Sequence, residues 1–119
     1  MDRIRIPEKE LQSYFDTKQL LEEVLAQFSK DFSVFESLDQ LVFSKTDPQQ
    51  FVKELSEVLA FFVERNPELF MQSLYAVDLP ERIIQQYYTT NTMVWEDLVD
   101  FIYRRLVLKV FLRKKFSAE

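Results

Sequence analysis

The sequence predicts an all-α protein, a single compact bundle of about five or six helices with a long, largely apolar C-terminal helix. Three observations favour this fold class. Large apolar side chains recur at helical spacing along most of the 119 residues. Glycine is absent, so tight hairpins are disfavoured, and the turns are expected to need only right-handed and extended backbone geometry. Hydrophobic residues make up 47% of the chain, which is enough for the core of one domain spanning residues 1–119.

The N-terminal part of the chain is expected to begin with an arm and a short helix. The segment 4-IRIP-7 alternates apolar and basic residues, and residues 1–6 are predicted to form an extended arm. Pro7 can open a helix because the first helical position needs no N–H donor, and this helix should end at Tyr14 or Phe15.

A second helix is predicted to start after a capping box. Asp16 and Gln19 have the spacing at which each side chain caps the backbone of the other. Apolar residues follow at helical spacing, and the segment 17–43 can form one helix or two, because Ser33 with Glu36 offers another start. Both alternatives stay open from the sequence.

Proline residues mark three helix starts in the middle of the chain. The segment 47–50 combines an N-cap Asp, a proline at the first helical position and a Gln at the third. This helix should end near Arg65, because Pro67 disfavours helical geometry in the residue before it. We expect the segments 66–68 and 78–81 to cap two further short helices.

The last helix is predicted to follow the polar loop 89-TTNT-92, to begin near Met93 and to extend as far as Phe116. A helix that is apolar over much of its circumference is usually central in a bundle or buried in an oligomer interface. Its main apolar face is predicted to comprise Trp95, Leu98, Val99, Ile102, Leu106 and Val110.

The composition argues against most enzyme classes. With no His, Cys or Gly, the chain has no disulfide, no thiolate metal site, no histidine base and no glycine-rich phosphate loop. Two helical carboxylate pairs could hold a cation, but solvated helix faces explain them more simply: Glu54 with Glu57, and Asp97 with Asp100. We therefore expect a protein that is not an enzyme, with no catalytic residue, metal ligand or cofactor.

The sequence gives no sign of export or membrane insertion. The N-terminus lacks the apolar segment of a signal peptide, and no long uncharged apolar run could form a transmembrane helix. The expected compartment is the cytoplasm.

Charge is distributed unevenly along the chain. Residues 103–119 carry six basic residues and one Glu, a net charge of +5, which leaves −10 on the remainder of a chain whose total is −5. We identify this basic group as the candidate surface for an acidic partner: Arg104, Arg105, Lys109, Arg113, Lys114 and Lys115. Compensation of the helix dipole explains the same residues without any partner.

Nucleic acid is an unlikely partner by this chemistry, because the acidic remainder of the chain would repel phosphates. An anionic membrane surface is disfavoured too, because the core needs the apolar face of this helix. Three aromatic residues complete the candidate contact set: Tyr87, Tyr88 and Trp95. Neighbouring tyrosines on a helix can hardly both be fully buried, and a core-boundary position with the polar end reaching solvent is the explanation we favour for these aromatic residues.

Two stretches of the second half of the chain, 74-LYAVDLPERII-84 and 98-LVDFIYRRLVLKVFLRKKF-116, resemble a small uncharacterised family of bacterial helical proteins. The resemblance implies a single cytosolic helical domain and carries over no catalytic residue.

The sequence therefore predicts a non-enzymatic helical interaction or adaptor protein that binds a protein partner or associates with itself as a homodimer. The alternative is an anion-binding or nucleic-acid-binding module that uses the basic C-terminal helix. A carboxylate-dependent enzyme or metal binder is the third hypothesis.

Overall fold

Six helices occupy residues 8–32 and 43–118, the two ranges that the computed structural model of the protein describes. The helices are α1 (Glu8–Tyr14), α2 (Thr17–Asp31), α3 (Pro48–Arg65), α4 (Pro67–Ala76), α5 (Glu81–Tyr88) and α6 (Trp95–Ala118). These ranges contain no strand, which confirms the predicted all-α bundle. The expected N-terminal arm lies outside the described residues. So does the segment 33–42, on which the choice between one helix and two depends.

The starts of α2 and α3 match the capping signals in the sequence. The Gln19 N–H donates to Asp16 Oδ1 at 2.8 Å, and the Asp16 N–H donates to Gln19 Oε1 at 3.3 Å, which completes the capping box. At α3, Asp47 Oδ1 accepts from the N–H groups of Gln49 and Gln50 at 3.0 and 3.4 Å. Each cap satisfies helix N–H groups that have no partner within the helix.

The other two predicted helix starts form without a capping side-chain hydrogen bond. Asn66 is the single residue between α3 and α4, but its side chain makes no capping hydrogen bond to α4. The residue at the N-cap of α5 is Pro80, which has no capping side chain, rather than Asp78. These two helices begin because proline fixes a compatible φ at or next to their first residues, without a side-chain acceptor.

Asp78 instead ends α4, in a left-handed conformation with φ of 64°. Its N–H donates to Tyr75 O at 3.0 Å, and the next N–H, of Leu79, donates to Leu74 O at 3.1 Å. This is the Schellman arrangement, in which glycine usually takes the left-handed position. Asn91 is also left-handed, with φ of 52°. The expectation that a glycine-free chain would avoid this geometry is therefore wrong, because Asp and Asn tolerate it best after glycine.

Helix α6 is central to the bundle and packs against α1, α2 and α3. It has 24 residues, so its length agrees with the prediction. A largely apolar character is not confirmed, because charged residues recur along the whole helix. Its buried face comprises Leu98, Val99, Ile102, Leu106, Val107, Val110 and Phe111.

Aromatic rings connect the helices through the core. Phe28 of α2 and Phe32, which directly follows α2, have centroids 4.8 Å apart, and Phe32 meets Phe62 of α3 at 6.0 Å. Phe62 packs edge-on against Phe70 of α4 at 5.7 Å, and Phe70 lies 6.1 Å from the Trp95 ring at the start of α6. Such pairs add about 0.5–1.5 kcal/mol each beyond the area they bury, so this row helps to fix the mutual positions of four helices.

Candidate functional site

The basic residues that the sequence singles out lie along α6, and the middle of the group is turned toward other parts of the same fold. Lys109 Nζ lies 2.8 Å from Asp31 Oδ2 on α2 and donates to Ala76 O at the end of α4, at 3.1 Å. Asp78, in the turn after α4, approaches Lys109 at 3.9 Å and Arg105 at 3.7 Å. The Asp31 side chain is only 8% exposed, so this ion pair is largely shielded from water.

One turn further along α6, Arg113 continues the same contact with α2. Its guanidinium donates to Gln27 Oε1 at 2.6 Å and to Glu23 Oε2 at 3.0 Å. Gln27 is a buried polar residue, and its amide also donates to Asp31 Oδ2 at 3.2 Å. The bonds from Arg113 and Lys109 therefore form one polar row along the α2–α6 interface. Because every member has a partner, the row avoids the cost of an unsatisfied buried polar group.

The remaining members of the basic group lie outside this row. Arg104 Nε donates to Asp100 Oδ2 one turn earlier on α6, at 2.7 Å, which is the ion pair that the spacing predicts. Lys115 Nζ lies 3.2 Å from Glu10 Oε2 of α1. Lys114 is exposed and has no carboxylate in range among the residues that the structure describes. The structure thus places most of the predicted basic surface in contacts between its own helices.

The three aromatic candidates come together at the joint between α5 and α6. The rings of Tyr87 and Tyr88 lie 4.8 Å apart, and Tyr87 lies 6.2 Å from Trp95. Phe70 packs against both Tyr87 and Trp95 from α4. The indole N–H of Trp95 donates to Ser56 Oγ on α3 at 2.9 Å. All three candidates are partly buried, so they form the edge of the core.

The Tyr88 hydroxyl does not reach solvent. It is buried and has no hydrogen-bond partner among the described residues. Burial, with a smaller contribution from Tyr87, raises the pKa of Tyr88 to about 12. The hydroxyl therefore stays neutral at physiological pH, which makes it a poor general base.

A second surface, which the sequence analysis missed, lies around the joint between α3 and α4. Phe61, Met71 and Tyr75 are large apolar residues with exposed fractions of 51%, 38% and 48%. Glu64 and Glu68 are exposed on the same two helices. We call these five residues the α3–α4 surface. Its apolar members lie off the buried stripes of their helices, so their helical phase is the signal that could have identified them.

Two of its apolar residues lie close to the joint between α3 and α4, whereas Tyr75 lies near the end of α4. Phe61 and Met71 each lie five residues from Asn66, which corresponds to about 7.5 Å along either helix axis. Two contacts restrict its aromatic rings: the Arg65 guanidinium carbon lies 4.3 Å from the Phe61 ring centroid, and the Tyr75 hydroxyl donates to Glu81 Oε1 at 3.3 Å.

One member of each carboxylate pair named in the sequence analysis is hydrogen-bonded to another residue. Glu54 accepts the N–H of Ser44 at 2.7 Å, and Asp100 is bonded to Arg104. Within residues 8–32 and 43–118, no group of three or more potential metal-ligand side chains comes together.

No helix in the described ranges is both long enough and apolar enough to cross a membrane. Comparison with protein-family models, curated proteins and solved structures gives no match to this chain. The resemblance to a family of bacterial helical proteins accordingly stays a prediction.

Proposed function

We propose that this chain is a non-enzymatic helical interaction protein whose contact surface is the α3–α4 surface. The observation that carries the proposal is the exposure of three large apolar residues on the consecutive helices α3 and α4, namely Phe61, Met71 and Tyr75. Isolated exposed apolar residues are ordinary, but aromatic residues and methionine are enriched at protein contact surfaces. The absence of His and Cys from the sequence agrees with a role that is not catalytic.

The contacts of this surface also support binding. Phe61 lies under the Arg65 guanidinium, and the Tyr75 hydroxyl is bonded to Glu81, so both rings are partly ordered before a partner arrives. A partner that covers preordered aromatic rings loses less side-chain entropy on binding than one that must order them. Such rings are the residues that most often dominate the binding energy of an interface.

The alternative, an anion-binding or nucleic-acid-binding module, has weaker support. Five of its six basic residues have a carboxylate partner within the fold, namely Arg104, Arg105, Lys109, Arg113 and Lys115. A phosphate would have to compete with these carboxylates, and with the −10 charge carried outside residues 103–119. Our proposal keeps the cytoplasm as the compartment and a bacterial helical family as the relatives, as the sequence suggests.

Site-specific photocrosslinking in host cells tests the proposal. A photoreactive phenylalanine analogue replaces Gln72, which is exposed next to Met71, and in a matched control it replaces Ala26, which is exposed on α2. We expect an adduct of defined mass at position 72 and none at position 26. Met71→Glu in the same chain should remove the adduct while the helical content of the purified protein stays unchanged.

Equal adducts at both positions, or an adduct at position 72 that survives Met71→Glu, would contradict the proposal. No adduct at position 72, with the protein folded and abundant, would contradict it as well. The adduct can be this same chain or a different one, and the proposed function accepts either.

A further inference from the structure

The α3–α4 surface has an acidic bias that restricts what can cover it. Glu57, Glu64 and Glu68 are exposed on α3 and α4, and the nearby cation Arg65 lies over the Phe61 ring. No ion pair among the described residues involves these three carboxylates. Two copies of this surface placed face to face would bring like charges together, which disfavours a symmetric contact through it. Its occupant should be both apolar and cationic.

The same chain carries a surface of that chemistry at the end of α6. Phe116 is 65% exposed, the highest value among the exposed large apolar residues of the described ranges. Arg113, one turn before it, is 48% exposed in its side chain, and Lys114 is exposed without a carboxylate partner in those ranges. We call Arg113, Lys114 and Phe116 the α6 end. It combines an uncovered aromatic ring with the positive charge of Lys114, which complements the α3–α4 surface, while the charge of Arg113 is already met by Glu23.

We infer that the chain associates with itself head to tail, the α6 end of one copy binding the α3–α4 surface of the next. This inference rests on the proposed function, because it assigns an occupant to the same surface. Phe116 covers the apolar residues, and Lys114 approaches the carboxylates of Glu64 and Glu68. Because the two surfaces are different, a pair of bound copies still has one free α6 end and one free α3–α4 surface. The assembly therefore grows into chains, or closes into a ring if the rotation between copies allows it.

Analytical ultracentrifugation of the full chain and of two variants tests this inference. Met71→Arg places a cation in the α3–α4 surface, and Phe116→Asp places an anion in the α6 end. Lys18→Glu, at an exposed position of α2, is the control for a change of charge alone. Circular dichroism establishes that every variant remains folded.

The unsubstituted chain should form species larger than a dimer as its concentration rises. Raising the salt from about 50 mM to about 500 mM should weaken the association, because exposed charges are screened. Each of the two surface variants alone should associate at least tenfold more weakly, whereas the Lys18→Glu control should associate like the unsubstituted chain. An equal mixture of the two surface variants should form a dimer and nothing larger, because each still supplies the surface that the other lacks.

Three results would overturn the inference. The first is an unsubstituted chain that remains monomeric at every soluble concentration. The second is a pair of surface variants that associate as strongly as the unsubstituted chain. The third is a mixture of the two variants that gives no dimer although the unsubstituted chain associates. The proposed function survives any of these if the adduct at position 72 contains another protein, for example one with a basic segment. It fails separately, if position 72 gives no adduct at all.

Discussion

The α2–α6 interface and the α3–α4 surface use similar residue types to opposite effect. At the α2–α6 interface, Lys109 meets Asp31 and Arg113 meets Glu23, so charges on one helix are neutralised by charges on the other. At the α3–α4 surface, Glu64 and Glu68 have no such ion-pair partner among the described residues, and aromatic side chains lie in solvent beside them. The charges of the first region are paired within the fold, whereas the carboxylates of the second have no ion pair among the described residues.

This difference shows that a cluster of charged residues in a sequence does not reveal whether the opposite charges that pair with it lie in the same chain. Lys109 and Asp31 are separated by 78 positions, so no local sequence pattern predicts their contact. For the apolar residues, the position on the helix face decides whether a side chain is buried. Phe61 and Phe62 are neighbours of one residue type, yet Phe61 is 51% exposed and Phe62 only 2%.

The largest expected effect comes from that pair of phenylalanines. Phe62→Ala should lower the free energy of unfolding by about 3–5 kcal/mol, because it removes a ring from the aromatic row that joins α2, α3 and α4. Phe61→Ala should lower it by less than about 1 kcal/mol, since it removes only an exposed ring and its cation–π contact. Denaturant unfolding of both variants measures the difference. Similar losses would mean that the α3–α4 surface is part of the core.

The next effect concerns the shielded ion pair of the α2–α6 interface. Asp31→Ala should cost about 2 kcal/mol, because it leaves the Lys109 ammonium partly buried without its carboxylate. Asp100→Ala, which removes the exposed partner of Arg104, is the control and should cost about 0.3–0.5 kcal/mol. A double-mutant cycle with Lys109→Met isolates the coupling between Asp31 and Lys109. A coupling free energy near zero would mean that the Asp31–Lys109 pair contributes no more to stability than an exposed ion pair.

Much of the fold could be predicted from local signals. The capping box at Asp16, the Asp47 cap and the prolines at positions 48 and 67 define helix starts through interactions within a few residues, so the sequence contains all that is needed. The end of α3 at Arg65 follows from the same kind of local rule. Asp78 shows the limit, because its segment satisfies an N-cap pattern and a helix-ending turn equally well, and only packing decides between them.

The candidate site was less predictable, because it depends on which helix faces are covered. The basic residues of α6 can be named from the sequence as one candidate surface, but the carboxylates that meet four of them come from α1, α2 and the turn after α4. Trp95 was expected near the start of α6, whereas its bond to Ser56 depends on how α3 lies against α6. The α3–α4 surface is visible in the sequence only as residues out of phase with a buried stripe.

A smaller effect is expected at the left-handed turn that brings Asp78 near Lys109 and Arg105. Asp78→Ala should destabilise the protein by about 1 kcal/mol, because alanine tolerates a positive φ less well and the two long ion pairs are lost. Asp78→Asn keeps the tolerance for a positive φ and removes the charge, so it should destabilise the protein by only a few tenths of a kcal/mol. Thermal unfolding of the two variants separates backbone from charge. An Asn variant as unstable as the Ala variant would show that the ion pairs dominate.

The smallest effect compares the hydroxyl of Tyr88, inside the fold, with that of Tyr75 on the α3–α4 surface. In the unfolded chain Tyr88 should lose its proton near the ordinary tyrosine pKa of about 10, while burial raises the folded pKa of Tyr88 to about 12. Its contribution to stability is therefore complete below the unfolded pKa. That contribution falls as pH rises through the window up to the folded value, because unfolding then releases a proton. After allowance for its partial exposure, the loss should not exceed about 1 kcal/mol. Tyr88→Phe should remove this part of the alkaline slope in denaturant unfolding, whereas Tyr75→Phe should leave it in place. Equal slopes in the Tyr88→Phe variant and the unsubstituted chain would mean that water reaches the Tyr88 hydroxyl, and that the edge of the core near Trp95 is open.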